Sequence, residues 1–304
     1  MKKSQIFKPI LKIALFLGIY FILQLLMGVI LGVIYGIKQG IEAAMTGSQL
    51  GITNINEGLQ QFTAQNMYYV LIAAIVLSIP AYLLMFKVGK YKFSDYCVFS
   101  KISWNQFFAV LLLGLPVQFF IGIVLSALSN IDALQGFFDS YNKLASQLTG
   151  GNFMLGIITV GIIVPVFEEI LFRGFIFGEI SKWLKLPATV IIQAVIFGLY
   201  HMNVIQGTYA VLIGVLLGII YIRTKSLIGP ILLHISINTS SVVMDKFMTD
   251  DTYNKYGTVF VILNIALLIG SIALLIVKNR NQMRSIAQEG EFCVTPKILL
   301  YQTT

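Results

Sequence analysis

The chain has 304 residues, of which 57% are hydrophobic and 11% are charged, and its mean hydropathy is +0.85. Average proteins carry about 25% charged residues, so this composition excludes a soluble globular fold. It predicts an all-α polytopic membrane protein, because helices satisfy their own backbone hydrogen bonds inside a bilayer. The formal net charge of +8 would suit a nucleic acid or an anionic lipid as partner, so the positions of the charges need to be considered.

Eight apolar stretches of membrane-spanning length follow one another along the chain. Their predicted bounds are residues 10–35, 67–86, 107–128, 153–180, 187–202, 208–222, 227–244 and 258–277. The first differs from a signal peptide, because its apolar run is too long and no small-residue cleavage site ends it. We expect the polar segment 37–66 to lie on the outer surface as an amphipathic segment, and segment 129–152 to be a connector without chemistry. In the sixth span, Gly214 and Gly218 predict a close helix contact.

Lysine and arginine residues are concentrated on one side of this arrangement. Of the 21 in the chain, sixteen fall in the N-terminal segment, the even-numbered loops and the tail, four fall on the other side, and Arg173 falls inside the fourth span. Such a bias marks the cytoplasmic side of a membrane protein. We therefore expect a multi-pass protein of a bacterial plasma membrane with both termini in the cytoplasm. The bias also explains the net charge, so no nucleic-acid partner is expected.

The chain shows no linker between independent units. Residues 1–280 are therefore predicted to form one transmembrane domain, with its motifs in 153–244, and residues 281–304 a polar cytoplasmic tail. The two cysteines, Cys97 and Cys293, lie far apart on the predicted cytoplasmic side, where disulfides are rare.

The fourth span contains three ionisable residues within the run VPVFEEILFRGFIFG: Glu168, Glu169 and Arg173. A charge at the bilayer centre costs at least about 2.5–3.5 kcal/mol, so three charges together indicate a function. Glu169 and Arg173 are four residues apart, which predicts an ion pair on one helix face. Glu168 points about 100° away from this pair. It is thus the carboxylate that is free for chemistry.

Both histidines of the chain fall inside predicted spans, His201 at the end of FGLYH and His234 at the start of HISIN. Together with Glu168 they suggest that water is activated for hydrolysis, with Glu168 as general base and His201 positioning the water. His234 and Asn238 would stabilise an oxyanion. Alternatively, Glu168, His201 and His234 would bind a divalent metal such as zinc. No H-E-x-x-H motif is present, so a zincin-type helix is excluded.

The runs EEILFR, FGLYH and HISIN resemble the three ordered motifs of the CPBP family, which comprises CAAX-type prenyl endopeptidases and bacteriocin-processing (ABI) enzymes. The likeness covers residues 168–238 and the eight-helix layout. It implies endoproteolysis in a cavity between spans four, five and seven, open to the membrane and to the cytoplasmic side.

The resemblance also implies a role for each matching position. Glu168 would activate water, and Glu169 would be its companion, held by Arg173. His201 would share the water or a metal, and His234 with Asn238 would form an oxyanion or ligand site. Phe197 would pack the helix that carries His201. The resemblance leaves both a metal-dependent and a metal-free glutamate mechanism open.

The function predicted from the sequence is an intramembrane endopeptidase that cleaves a membrane-associated protein or a secreted-peptide precursor. A second hypothesis is an immunity or binding protein without turnover, which the complete motifs disfavour. A third is a proton- or cation-coupled transporter, in which buried Glu and His would relay protons. No inverted repeat or pair of broken helices supports the third hypothesis.

Overall fold

The computed structural model describes the backbone of residues 3–47 and 52–288 and the side chains of residues 8–47, 55–249 and 251–276. Within these residues the chain is helical and contains no strands, which confirms the all-α prediction. The helices are α1 Lys3–Thr46, α2 Ile52–Gly89, α3 Trp104–Leu128, α4 Gln135–Thr149, α5 Phe153–Ile180, α6 Leu186–Tyr200, α7 Val204–Thr224, α8 Ile228–Phe247 and α9 Asp250–Gln288. Most of the predicted tail, including Cys293, lies outside the described residues.

Six helices of the described part are long and apolar enough to cross a membrane: α1, α2, α3, α5, α7 and α9. Helix α6 has 15 residues and extends for about 22 Å, less than the roughly 30 Å of a bilayer core. Helix α8 has 20 residues but carries several hydroxyl, amide and charged side chains, so it does not reach the same hydropathy. The multi-pass membrane fold is therefore clear, and the count of eight spans stays a prediction.

Three local predictions are wrong. The segment 37–66 is not a separate surface element, because α1 continues to Thr46 and α2 begins at Ile52. The segment 129–152 contains a helix, α4, with an apolar face that packs against the bundle. His201 lies just beyond the last residue of α6 and not inside it, because the chain turns there towards α7.

Contacts between loops and helices define two opposite ends of the bundle. At one end, which we call the basic end, the loop after α2 meets the loop after α7: Leu227 N–H donates to the Val98 carbonyl (2.8 Å), and Ser226 Oγ donates to the Ser100 carbonyl (2.7 Å). At the opposite end, Tyr68 OH on α2 donates to the Leu148 carbonyl on α4 (2.7 Å). Helix α5 runs between the two ends through the centre of the bundle.

The α6–α7 hairpin packs closely because of the glycines in α7. A Cβ at Gly214 would lie 3.0 Å from Ala194, and one at Gly218 would lie 3.1 Å from Val190, both on α6. This confirms the predicted close contact. It also brings the main chain of α7 near α5, where the Gly214 carbonyl becomes a hydrogen-bond acceptor for Arg173.

Candidate active site

The two adjacent glutamates of α5 lie in different surroundings. Glu169 is fully buried, and its Oε1 accepts hydrogen bonds from Arg173 Nη1 (2.7 Å) and from His234 Nδ1 (2.8 Å). The pair with Arg173 is the one predicted from the four-residue spacing, and it is confirmed. The contact with His234 was not predicted, because it joins residues 65 positions apart.

Arg173 is held on three sides. Besides its bond to Glu169, Nη2 donates to the Gly214 carbonyl of α7 (3.2 Å), and the guanidinium lies 4.6 Å from the ring centroid of Phe197 on α6. The side chain is fully buried, and an unpaired buried charge would be costly. Arg173 therefore joins α5 to α6 and α7 and holds Glu169 in one orientation.

Glu168 has no such cation beside it. Its carboxylate is 12% exposed and lines a cavity of about 230 Å³. His234 Nε2 lies 3.7 Å from Glu168 Oε2, too far for a direct hydrogen bond. His234 thus contacts the buried Glu169 through Nδ1 and faces the cavity carboxylate through Nε2. The geometry separates a structural glutamate from one that is available to a ligand.

His201 is oriented by the end of α6. Its Nδ1 lies 2.8 Å from the Phe197 carbonyl, so Nδ1 carries the proton and Nε2 is left as an acceptor. The Phe197 ring packs edge-to-face against both histidines, with centroid distances of 4.8 Å to His201 and 5.8 Å to His234. As predicted, Phe197 packs the segment that carries His201. It also contacts Arg173, which the sequence did not indicate.

Asn238 reaches α5 at a point where the helix backbone is irregular. Pro165 has no N–H to donate to the preceding turn, and that turn, Ile157–Ile163, is a π-helix. The carbonyl of Val160 accepts from Asn238 Nδ2 (3.1 Å), and that of Gly161 accepts from Thr239 Oγ1 (3.3 Å). Side chains of α8 therefore supply hydrogen bonds that Pro165 cannot make. Asn238 has a structural partner in addition to its place on the cavity wall.

The cavity brings together Glu168, His201, His234 and Asn238, which the sequence singled out separately. It also contains side chains that sequence reasoning missed: Tyr20 and Gln24 of α1, Leu144 and Leu148 of α4, and Gln206 and Tyr209 of α7. Gln24 carried a usable signal, since an amide inside an apolar span is unusual, whereas Gln206 fell in the predicted link between two spans. The leucines carried none, because only the tertiary fold brings α4 over the cavity.

The donor set does not fit a metal site with three protein ligands. Among the described residues, no group of three His, Cys, Asp or Glu side chains is close enough to hold a metal ion. Glu168 and His234 are near each other, and His201 presents Nε2 to the same cavity, but the three do not converge on one point. We therefore derive no step through a metal.

Comparisons with known proteins concern the central part of the chain. Residues 150–240 match the family model "Type II CAAX prenyl endopeptidase Rce1-like". The chain is 34% identical over 90 residues to "Putative membrane peptidase YdiL" of Bacillus subtilis (strain 168), which covers 30% of this chain and 37% of that protein. The chain thus spans little more than a third of this relative's length. No solved structure gives a significant match.

Proposed function

We propose that this chain, whose residues 150–240 match the Rce1-like CAAX prenyl endopeptidase family model, is an intramembrane endopeptidase of the CPBP family. Its substrate would be a membrane-associated protein or a secreted-peptide precursor, cleaved in the plasma membrane of a bacterium. The observation that carries the proposal is the difference between the two glutamates. Glu169 Oε1 accepts from both Arg173 and His234, whereas Glu168 faces a cavity that also contains both histidines.

The reaction is hydrolysis of a peptide bond by water that Glu168 activates. A water in the cavity would donate one proton to Glu168 while its oxygen attacks the substrate carbonyl carbon. With Nδ1–H of the neutral ring donated to the Phe197 carbonyl, His201 Nε2 would accept a hydrogen bond from the second O–H of the water, which stays on the oxygen, and so orient the attack. The C–N bond then breaks, and the proton held by Glu168 passes to the leaving amine.

Negative charge develops on the carbonyl oxygen during the attack, and N–H donors in a cavity shielded from water stabilise it most. His234 Nε2 would fill this role only when both ring nitrogens carry a proton, because the Nδ1 proton is already donated to the carboxylate of Glu169; that bond also keeps the ring from turning away. The second N–H of the Asn238 amide would add a donor, since the first is bound to the Val160 carbonyl. Arg173 does not touch substrate in this scheme and acts by holding Glu169.

The test compares the peptide termini of membrane and secreted fractions from cells with wild-type protein or Glu168→Gln, at matched protein abundance. The substitution keeps the shape and polarity of the side chain but removes the base. We expect at least one terminus to appear only with the wild type. Identical termini, with any cellular phenotype retained in the variant, would refute the endopeptidase and favour an immunity or binding protein.

A further inference from the structure

The cavity occupies only one half of the bundle. On α5, Val160, Val164 and Glu168 follow at four-residue intervals and all line it. The next position in this series, Phe172, is fully buried and packs on Phe197, with the ring centroids 4.8 Å apart. Phe172 lies on the side of Glu168 that leads to the basic end. On α5 the cavity therefore stops at the level of Glu168.

Two other helices show the same limit. On α1, Tyr20 and Gln24 line the cavity, whereas Phe16, one turn nearer to the basic end, is fully buried against Phe175. On α7, residues from Gln206 to Ile213 line it, and the following turn towards the basic end is closed by the fully buried Leu217. A second cavity of about 420 Å³ lies in this half between α2 and α5, but its lining is aliphatic and aromatic and shares no residue with the cavity at Glu168. Aromatic and aliphatic side chains thus separate the cavity at Glu168 from the basic end.

At the opposite end the amphipathic helix α4 lies over the cavity, beside Leu71 of α2. Leu144 and Leu148 of α4 form its roof. Helix α4 is held by the bond from Tyr68 OH to the Leu148 carbonyl and by an edge-to-face contact between Tyr141 and Tyr209 (6.2 Å). A short surface helix with an exposed polar face opens more easily than a packed core, because few buried contacts are lost. Of the two ends of the cavity, the one that α4 covers therefore opens more easily.

The two ends carry opposite charge. The described lysines and arginines at the basic end are Lys8, Lys12, Lys87, Lys90, Lys92, Lys101, Lys182, Lys185, Arg223 and Lys225, against the acids Asp95 and Glu179. At the opposite end the bases Lys38, Lys143, Lys246 and Lys255 stand against the acids Glu42, Glu57, Asp132, Asp139, Asp245 and Asp251. Positively charged loops stay on the cytoplasmic side of a membrane. The end that α4 covers is therefore the external one.

We propose that the cavity is reached from the external side of the membrane, past α4, and that its substrates are peptide segments that have already crossed the membrane. Such segments are exported peptides or the external parts of membrane proteins. This rests on the proposed function and specifies its substrate class. It departs from the cytoplasmic access that the family resemblance implies, because the packed half of the bundle lies between the cavity and the basic end.

Access can be measured with a membrane-impermeant, sulfonated maleimide on intact cells. Single cysteines are placed in a protein in which Cys97 and Cys293 are replaced by alanine. Gln206→Cys reports on the cavity, Val204→Cys (58% exposed) on the surface two residues away, and Phe99→Cys (51% exposed) on the basic end. Each is also made together with Glu168→Gln, so that the labelling does not depend on cleavage.

We expect Val204→Cys and Gln206→Cys to be labelled in intact cells, and Phe99→Cys only after permeabilisation. Labelling of Phe99→Cys in intact cells would overturn the assigned orientation. Labelling of Val204→Cys without Gln206→Cys would show that the cavity is not reached from the external side, and would also overturn the proposal.

The peptide-terminus comparison then separates the substrate class from the activity. Glu168-dependent termini are expected in external segments. If they lie in cytoplasmic segments, the substrate class is wrong and the endopeptidase stands. If no Glu168-dependent terminus exists while the labelling is as expected, the endopeptidase itself is wrong and no substrate is external.

Discussion

Each half of the bundle contains a carboxylate bound by more than one donor, but the cavities of the two halves differ. The cavity of about 420 Å³ between α2 and α5 is lined by aliphatic and aromatic side chains, whereas the one of about 230 Å³ contains Glu168 and both histidines. Near the basic end, Glu179 Oε1 accepts from Lys12 Nζ (2.6 Å), from Lys182 Nζ (2.8 Å) and from the Tyr96 hydroxyl. In the middle of the bundle, Glu169 Oε1 accepts from Arg173 and His234. Both groups tie α5 to other parts of the bundle. The Glu169 group is less completely satisfied, because Glu169 Oε2 and Arg173 Nε are buried without a hydrogen-bond partner among the described residues.

The two carboxylates differ in the residues that surround them. Glu179 is surrounded by packed aromatic rings, including Tyr96, which stands between the two lysines. Glu168 lies next to Glu169 on the cavity wall and forms no ion pair with lysine or arginine in the described part of the chain. A buried charge network alone therefore does not indicate a reactive site. A carboxylate on a cavity wall without a lysine or arginine beside it does indicate a reactive site.

The substitution Glu168→Gln is the strongest test of this contrast. Loss of a general base should lower the rate of cleavage by about 10²–10⁴-fold. The yield and the melting temperature in detergent should stay near those of the wild type, because no cation loses its partner. The matched control is Glu179→Gln, which should retain the wild-type rate per folded molecule. Equal losses of rate in both variants would remove the distinction between the two halves.

The substitution Arg173→Met tests whether the Glu169 network is structural. It leaves a fully buried carboxylate with His234 as its remaining partner, which should lower the free energy of unfolding by about 3–5 kcal/mol. Thermal unfolding in detergent measures the effect. Adding Glu169→Gln should recover part of the loss, because no buried charge is then unpaired. A stable but inactive Arg173→Met would instead place Arg173 in the chemistry.

The substitution His201→Phe tests the positioning of the water. The variant keeps a ring that can pack on Phe197 but lacks the Nε2 acceptor. Cleavage should fall by about 10²-fold, less than the largest losses expected for Glu168→Gln, because orientation is lost while the base remains. His201→Gln keeps a polar group and should recover part of the rate. If His201→Phe cleaves at the wild-type rate, His201 only packs the end of α6.

Local geometry explains which parts of the site could be predicted from the sequence. The Glu169–Arg173 pair follows from helical spacing alone, and the resemblance of the motifs to the CPBP family is confirmed for residues 150–240. The bond from His234 to Glu169 could not be predicted, because it depends on how α8 packs against α5. The hydrogen bond from Asn238 to the Val160 carbonyl, in the turn before Pro165, could not be predicted for the same reason.

The same distinction applies to the fold. Apolar length predicted the multi-pass helical fold, because it depends on the bilayer and not on tertiary contacts; the sides that the charge bias assigns stay a prediction. The role of α4 was missed, because its own composition is that of any amphipathic surface helix. Its position over the cavity follows from tertiary contacts, in which Leu144 and Leu148 line the cavity and Tyr68 holds the end of the helix. Segments without a chemical motif can therefore limit access to a site.

The substitution Glu179→Gln should have a smaller effect on stability than Arg173→Met. Glu179 is nearly inaccessible, but the Lys182 side chain is 42% exposed and can be solvated when its partner loses its charge. The free energy of unfolding should fall by about 1–2 kcal/mol, as for the loss of charged hydrogen bonds at a partly exposed site. Unfolding in detergent measures it. A loss as large as that of Arg173→Met would mean that the basic end, not the Glu169 network, holds the bundle together.

The reactivity of Cys97 measures whether solvent reaches the half of the bundle near the basic end, without any substitution in that half. It lies in the loop after α2, is buried and touches α5 near Gly174. Burial raises the pKa of its thiol, so the reactive thiolate is scarce even in mildly alkaline solution. With Cys293→Ala, Cys97 in the folded protein should react with iodoacetamide at pH 8.5 at least about 10-fold more slowly than in denaturant. Rapid alkylation in the folded protein would show that water enters the basic end, and the closed half would then be open as well.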